Sequence, residues 1–287
     1  MTIKNPVEWG IAQLSNTFSA IGAAGPALLH MQETIHSPAP TIRRITTHDV
    51  TEALAAGFED FATFRSDVVF LCVFYPLIGL MLAQIVFGND MLPLLFPIAS
   101  GFALIGPFAA IGLYEMSRRH EKGLPTNWIH AFDVLRSPAI GSIVVLGLFL
   151  VAIFFAWLYT AWAIFELTLG PDLPSSIGAF YNQIVFTSAG HTMMAVGIGV
   201  GFLFALFAMS VSVISFPLLL DRDVGLDTAF KTSVKAVWMN PVPMAFWGFI
   251  VASTLLIGSI PMLIGLAVVM PTLGHATWHL YRRMIGS

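Results

Sequence analysis

The chain has 287 residues, of which 57% are hydrophobic and only 10% charged, with a net charge of −3. Ordinary soluble domains are about a quarter charged, so too few polar groups are present to solvate a globular surface. The weak net charge and the lack of a basic cluster argue against a nucleic-acid partner, and the one cysteine, Cys72, makes neither an internal disulfide nor a CxxC motif.

Residues 1–45 read as a partly irregular arm ahead of a transmembrane domain at 46–287. Gln13, Ser15, Asn16, Thr17 and Ser19 interrupt the apolar run from Ile11, which argues against a signal peptide. Pro26, Pro38 and Pro40 then mark an irregular tether, and residues 1–40 are a candidate docking arm for another membrane protein complex.

Long apolar blocks follow. Roughly 20 apolar residues cross a bilayer as a helix, and the blocks predict spans at about 68–87, 92–116, 140–165 and 192–220. The last apolar region, about 239–281, has room for two more spans, 239–257 and 260–281, turning at Gly258, Ser259, Ile260 and Pro261. The expected fold is therefore an all-α, polytopic bundle of six spans arranged as three two-helix hairpins. Each hairpin is preceded by a short amphipathic stretch suited to the membrane interface: Val50, Leu54, Phe58 and Phe61; Trp128, Phe132 and Leu135; Leu226, Phe230, Val234 and Val237.

The 13 Lys and Arg residues avoid every second connection. None falls around Gly88–Asp90 or Glu166–His191, whereas Arg43, Arg44, Arg118, Arg119, Arg136, Arg222, Arg282 and Arg283 lie on the alternate side. Basic residues stay cytoplasmic, which places both the N-terminal segment and the C-terminal end inside. Counting 239–281 as two spans keeps Arg282 and Arg283 with the others. The hairpins also look like internal repeats, because Pro107 precedes Arg118 and Arg119 by the same interval at which Pro271 precedes Arg282 and Arg283. That register matches Tyr114 to Trp278 and Glu115 to His279.

Three stretches carry a family resemblance: Gly106-Pro-Phe-Ala-Ala-Ile-Gly-Leu-Tyr-Glu-Met-Ser-Arg-Arg119, Phe216-Pro-Leu-Leu-Leu-Asp-Arg-Asp223 and Leu273-Gly-His-Ala-Thr-Trp-His-Leu-Tyr281. Over roughly residues 45–285 the chain resembles a family of bacterial integral membrane proteins with a domain of unknown function, some labelled as proposed cytochrome c oxidase subunits. The resemblance implies a bacterial inner-membrane protein. It carries no site residues over, and a catalytic oxidase core would need several haem and copper histidines on different helices.

The candidate site is an intramembrane polar cluster of Glu115, Arg118, Arg119, His275 and His279. Arg118 and Arg119 stand at i+3 and i+4 from Glu115, so an ordinary interfacial ion pair competes with a proton-relay or substrate-binding carboxylate. His275 and His279 share one helical face, where an interfacial polar belt competes with a metal site. His191 is a candidate haem ligand, but its expected depth opposes that of His275. No catalytic constellation stands out and no cofactor is expected. The leading expectation is a non-enzymatic accessory or assembly component of an energy-transducing complex. The alternatives are a small-solute or ion transporter using Glu115 and a haem or metal protein using His275 and His279.

Overall fold

The computed structural model describes residues 30, 33–34, 37–72, 77–81, 84, 86, 91–170, 172–174, 176–261 and 263–286. Parts of the predicted span at 68–87 (73–76, 82–83, 85 and 87) and most of the proposed docking arm lie outside these residues. Among them the chain is helical, with one isolated bridge between Ile42 and Ile285 in place of a sheet.

The helices are α1 (Thr47–Cys72), α2 (Leu95–Ala109), α3 (Ile111–Glu121), α4 (Ile140–Thr168), α5 (Ile177–Phe186), α6 (Ser188–Ser212), α7 (Ser215–Asp221), α8 (Leu226–Met239), α9 (Pro241–Ser259) and α10 (Leu266–Met284), with 3-10 turns at Leu92–Leu94 and Trp128–Arg136. Four stretches are long and apolar enough to cross a membrane: Leu92–Glu121, Ile140–Thr168, Ser188–Asp221 and Pro241–Ser259. They match four of the six predicted spans. The segment predicted as the sixth, 260–281, is carried mainly by α10, which is not among them.

Local chemistry sets these elements. Thr46 and Asp49 close α1 reciprocally: the Asp49 carboxylate accepts from the Thr46 amide at 2.7 Å, and the Thr46 hydroxyl accepts from the Asp49 amide at 3.3 Å. Asn127 and His130 make the same kind of box at the start of the 3-10 turn Trp128–Arg136. Side chains three apart eclipse in a 3-10 helix, so Ile129, Phe132 and Leu135 form one exposed apolar ridge while Ala131 and Val134 are buried. That ridge suits the interfacial role expected of this stretch.

The centre of the bundle is the pairing of α1 with α10, which run antiparallel: Asp49 and Glu52 meet Arg283 at one end, and Asp60 meets His279 further along. The buried stripe of α1 is Val50, Ala53, Gly57, Asp60 and Phe64, spaced alternately three and four residues apart. It lies beside the stripe expected from apolar content, and Phe58 of the expected stripe is exposed. Gly57 lets the helices touch, since a Cβ there would lie 2.4 Å from the Ala276 backbone nitrogen. On α10, Ala276, Trp278, Leu280, Tyr281 and Met284 are buried.

One end of the bundle is ionic. Arg282 joins Glu121 and Asp221 at 2.9 and 3.3 Å, the Tyr281 hydroxyl donates to Asp221, the Trp278 indole donates to Glu121, and Arg222 donates to the Gly286 carbonyl. Residues 37–45 are fastened across this end. The Arg43 amide donates to Met284, the Gly286 amide to Thr41, and the Thr228 hydroxyl to the Ser37 carbonyl. Asn240 accepts from the Ile45 amide at 2.8 Å and donates to the Arg43 carbonyl. The part of the predicted arm that the structure describes is thus anchored rather than loose.

Candidate functional site

The predicted polar cluster separates into three sets. Glu115 forms a two-pronged ion pair with Arg118 on its own helix, at 2.7 and 3.0 Å. Arg119 turns away to Asp133 and the Pro125 carbonyl. His275 and His279 meet a residue that the sequence reading left out of the site, Asp60 of α1.

Asp60 is almost fully buried, with 5% of its side chain exposed. Its Oδ1 lies 2.8 Å from His120 Nδ1, and its Oδ2 lies 2.6 Å from Ser117 Oγ and 2.9 Å from His279 Nε2. Ser117 Oγ is in turn 2.8 Å from His275 Nδ1. Three helices therefore converge on one carboxylate: α1 brings Asp60, α3 brings Ser117 and His120, and α10 brings His275 and His279. Phe64 closes the cluster, its ring edge-on to His120 with centroids 5.1 Å apart and tilted over His275 at 6.3 Å.

The donor directions follow from chemistry. An ionised carboxylate only accepts, so His120 and His279 each place an N–H toward Asp60, and the Ser117 hydroxyl donates to it. With that proton committed, Ser117 accepts from His275 Nδ1–H. Asp60 thus fixes the tautomers of two rings directly and of the third through a hydroxyl, leaving the far nitrogen of each imidazole unprotonated. The far nitrogen of His275 is buried and has no hydrogen-bond partner among the described residues.

Burial by itself would raise the pKa of Asp60. The hydrogen bonds from His279, Ser117 and His120, with the imidazole of His275 nearby, outweigh it and hold the carboxyl well below the usual carboxylate range. Exposure is graded across the cluster: His120 is 49% exposed, His279 24% and His275 not at all. The cluster is therefore open at its His120 edge while its innermost ring is sealed.

Among the described residues no set of three or more His, Cys, Asp or Glu side chains converges as metal ligands. His275 and His279 direct their bonded nitrogens to Ser117 and Asp60 rather than to a shared open point. His191, the haem candidate, sits in the corner between α5 and α6, where its Nε2 donates to the Val185 carbonyl at 2.8 Å. It makes no part of the His275 site.

Sequence reasoning missed Asp60, Ser117 and His120. The available signal was the alternating three-and-four spacing Val50, Ala53, Gly57, Asp60, Phe64, a contact seam with a carboxylate set into it.

No curated protein and no solved structure matches the chain. A family match covers residues 95–221, a narrower stretch than the resemblance suggested by the sequence. It includes Ser117 and His120, whereas Asp60, His275 and His279 lie outside it. Residues 95–221 are similar to the family described as "Predicted integral membrane protein (DUF2189)", a membrane domain of unknown function.

Proposed function

We propose that the Asp60 cluster is a proton-binding site, and that the chain is a non-enzymatic, multi-pass inner-membrane protein serving an energy-transducing, respiratory-type complex as an accessory or assembly component. The observation that carries this reading is the buried carboxylate of Asp60, bonded to two imidazoles and linked through Ser117 to a third. A neutral imidazole that donates one N–H to a carboxylate keeps its second nitrogen as a base. Protonation there creates an imidazolium beside an ionised carboxylate, which favours the charged ring. His120 is the most exposed of the three rings.

The setting agrees with that role. The ionic end gathers Arg43, Arg118, Arg119, Arg222, Arg282 and Arg283, which favours a cytoplasmic location for it and for the fastened residues 37–45 and the end of α10 beside it. With 68–87 and 260–281 counted as membrane-embedded, the four long apolar helices become six spans in three hairpins. The fastening of residues 37–45 gives a docking arm at 1–40 a fixed root. The transport reading centred on Glu115 has less support, because Arg118 takes both of its carboxylate oxygens.

The test is proton uptake by the reconstituted protein after a step from about pH 8 to about pH 5, the range in which imidazoles titrate. Wild type should take up at least one proton more than Asp60→Asn, and equal uptake would defeat the proposal. The accessory role is tested by mass spectrometry of proteins that co-purify in mild detergent, with and without residues 1–40. A partner lost on deletion is the expected result, and a partner-free protein would refute it.

A further inference from the structure

We infer that α5 is an in-plane amphipathic helix of the membrane leaflet remote from the ionic end, held at that angle by a corner built from Thr187, Gly190 and His191. Most of its apolar residues share one side, Ile177, Phe180, Tyr181, Ile184 and Val185 standing at i, i+3, i+4, i+7 and i+8, with Gly178, Asn182 and the terminal Phe186 away from it. In a soluble fold such a face would be covered by protein. Here Phe180, Ile184 and Val185 are half-buried, with the Phe180 ring against Phe165, whereas Ile177, Tyr181 and Phe186 are 62%, 58% and 72% exposed. At 10 residues the helix is only about 15 Å long, half the thickness of a hydrocarbon core, so it cannot cross.

The occupant of the exposed face follows from continuity with the lipid-facing surface. α5 lies in sequence between two long apolar helices, α4 and α6, whose Tyr159, Leu167, Ile198 and Phe202 are all exposed. α4 is 29 residues long, about 43 Å, and leads away from Arg136. α5 therefore sits a full hydrocarbon thickness from the basic residues, in a stretch from Ser137 to Asp221 that contains no Lys or Arg.

The corner explains three residues that have no part in the Asp60 site. Thr187 is the single extended residue between the two helices. Its hydroxyl donates to the Gln183 carbonyl of α5 at 2.6 Å and accepts from the Gly190 amide of α6 at 3.0 Å, capping both. His191 Nε2 donates to the Val185 carbonyl, satisfying an orphan acceptor at the end of α5. Gly190 allows the fold-back, because a Cβ there would lie 2.2 Å from the Gln183 carbonyl oxygen.

The test uses the full chain in nanodiscs, with the one cysteine removed as Cys72→Ser and spin labels placed through Ile177→Cys, Tyr181→Cys and Asn182→Cys. Labels at 177 and 181 should collide several-fold more with dissolved oxygen than with a water-soluble nickel reagent, and the label at 182 should show the reverse preference. Equal access of the nickel reagent to all three would overturn the inference. Protection of 177 and 181 from both reagents would overturn it too, since a protein would then cover the face. Gly190→Ala should abolish the difference between 181 and 182; its survival would refute the role given to the corner.

Discussion

Helices α4 and α10 look interchangeable as apolar segments of one chain, yet the structure uses them in opposite ways. α4 is among the most apolar helices and displays Leu148, Phe155, Tyr159 and Leu167 on the surface. α10 carries His275, Thr277, Trp278, His279, Arg282 and Arg283 and lies at the centre, with His275, Trp278 and Tyr281 buried. Hydropathy therefore marks the helices that face lipid, while the polar side chains are drawn inward to satisfy one another. A polar helix in a membrane protein is a candidate for its interior.

The sharpest way to break this contrast is to separate α10 from α1. Gly57→Leu drives a side chain into the Ala276 backbone, and since the contact is between two backbones no rotamer relieves it. The expected loss is about 3 kcal/mol or more, read as failure to recover monodisperse protein or as a large fall in Tm. Asp60→Ala comes next, because it leaves the Ser117 hydroxyl and the His120 and His279 N–H groups without their acceptor. A destabilisation of about 2–3 kcal/mol is expected in detergent unfolding, with a smaller loss for Asp60→Asn. Destabilisation below that of an ordinary surface substitution would show that the cluster is not a structural node.

Acid provides a subtler test. The folded pKa of Asp60 is depressed, so its contribution to stability is complete above the ordinary carboxylate pKa and is lost as pH falls toward the folded value. The Tm of wild type should therefore fall more steeply in acid than that of Asp60→Asn; parallel curves would contradict the assignment. Leu148→Ala on α4 should have the smallest effect, within about 0.5 kcal/mol, as at a surface position. A large loss there would mean that α4 packs against protein at that point.

Much of the fold was legible because lipid imposes a one-dimensional rule. The stretches 92–116, 140–165, 192–220 and 239–257 were recognisable from unbroken apolar runs, and four long apolar helices cover them. The site was only partly legible. His275 and His279 were identified because i, i+4 spacing puts them on one face, but Asp60 lies 219 residues from His279, and no local pattern announces such a partner. Apolar content also pointed to the wrong stripe of α1. Its contact face is made by small residues, Ala53 and Gly57, and small residues weigh little in any count of hydrophobicity although they allow the closest approach. Glu115, the most conspicuous charge, proved to have its partner three residues away.

The distance between Asp60 and His279 has a consequence for biogenesis. α1 is made early in synthesis, carrying a carboxylate whose partners are missing until α3 supplies Ser117 and His120, and the seam beside it stays open until α10 follows. Closure of this seam is necessarily one of the last events of folding. A nascent chain halted before α10 presents the open groove of Gly57 and Asp60, the surface that membrane quality control would meet.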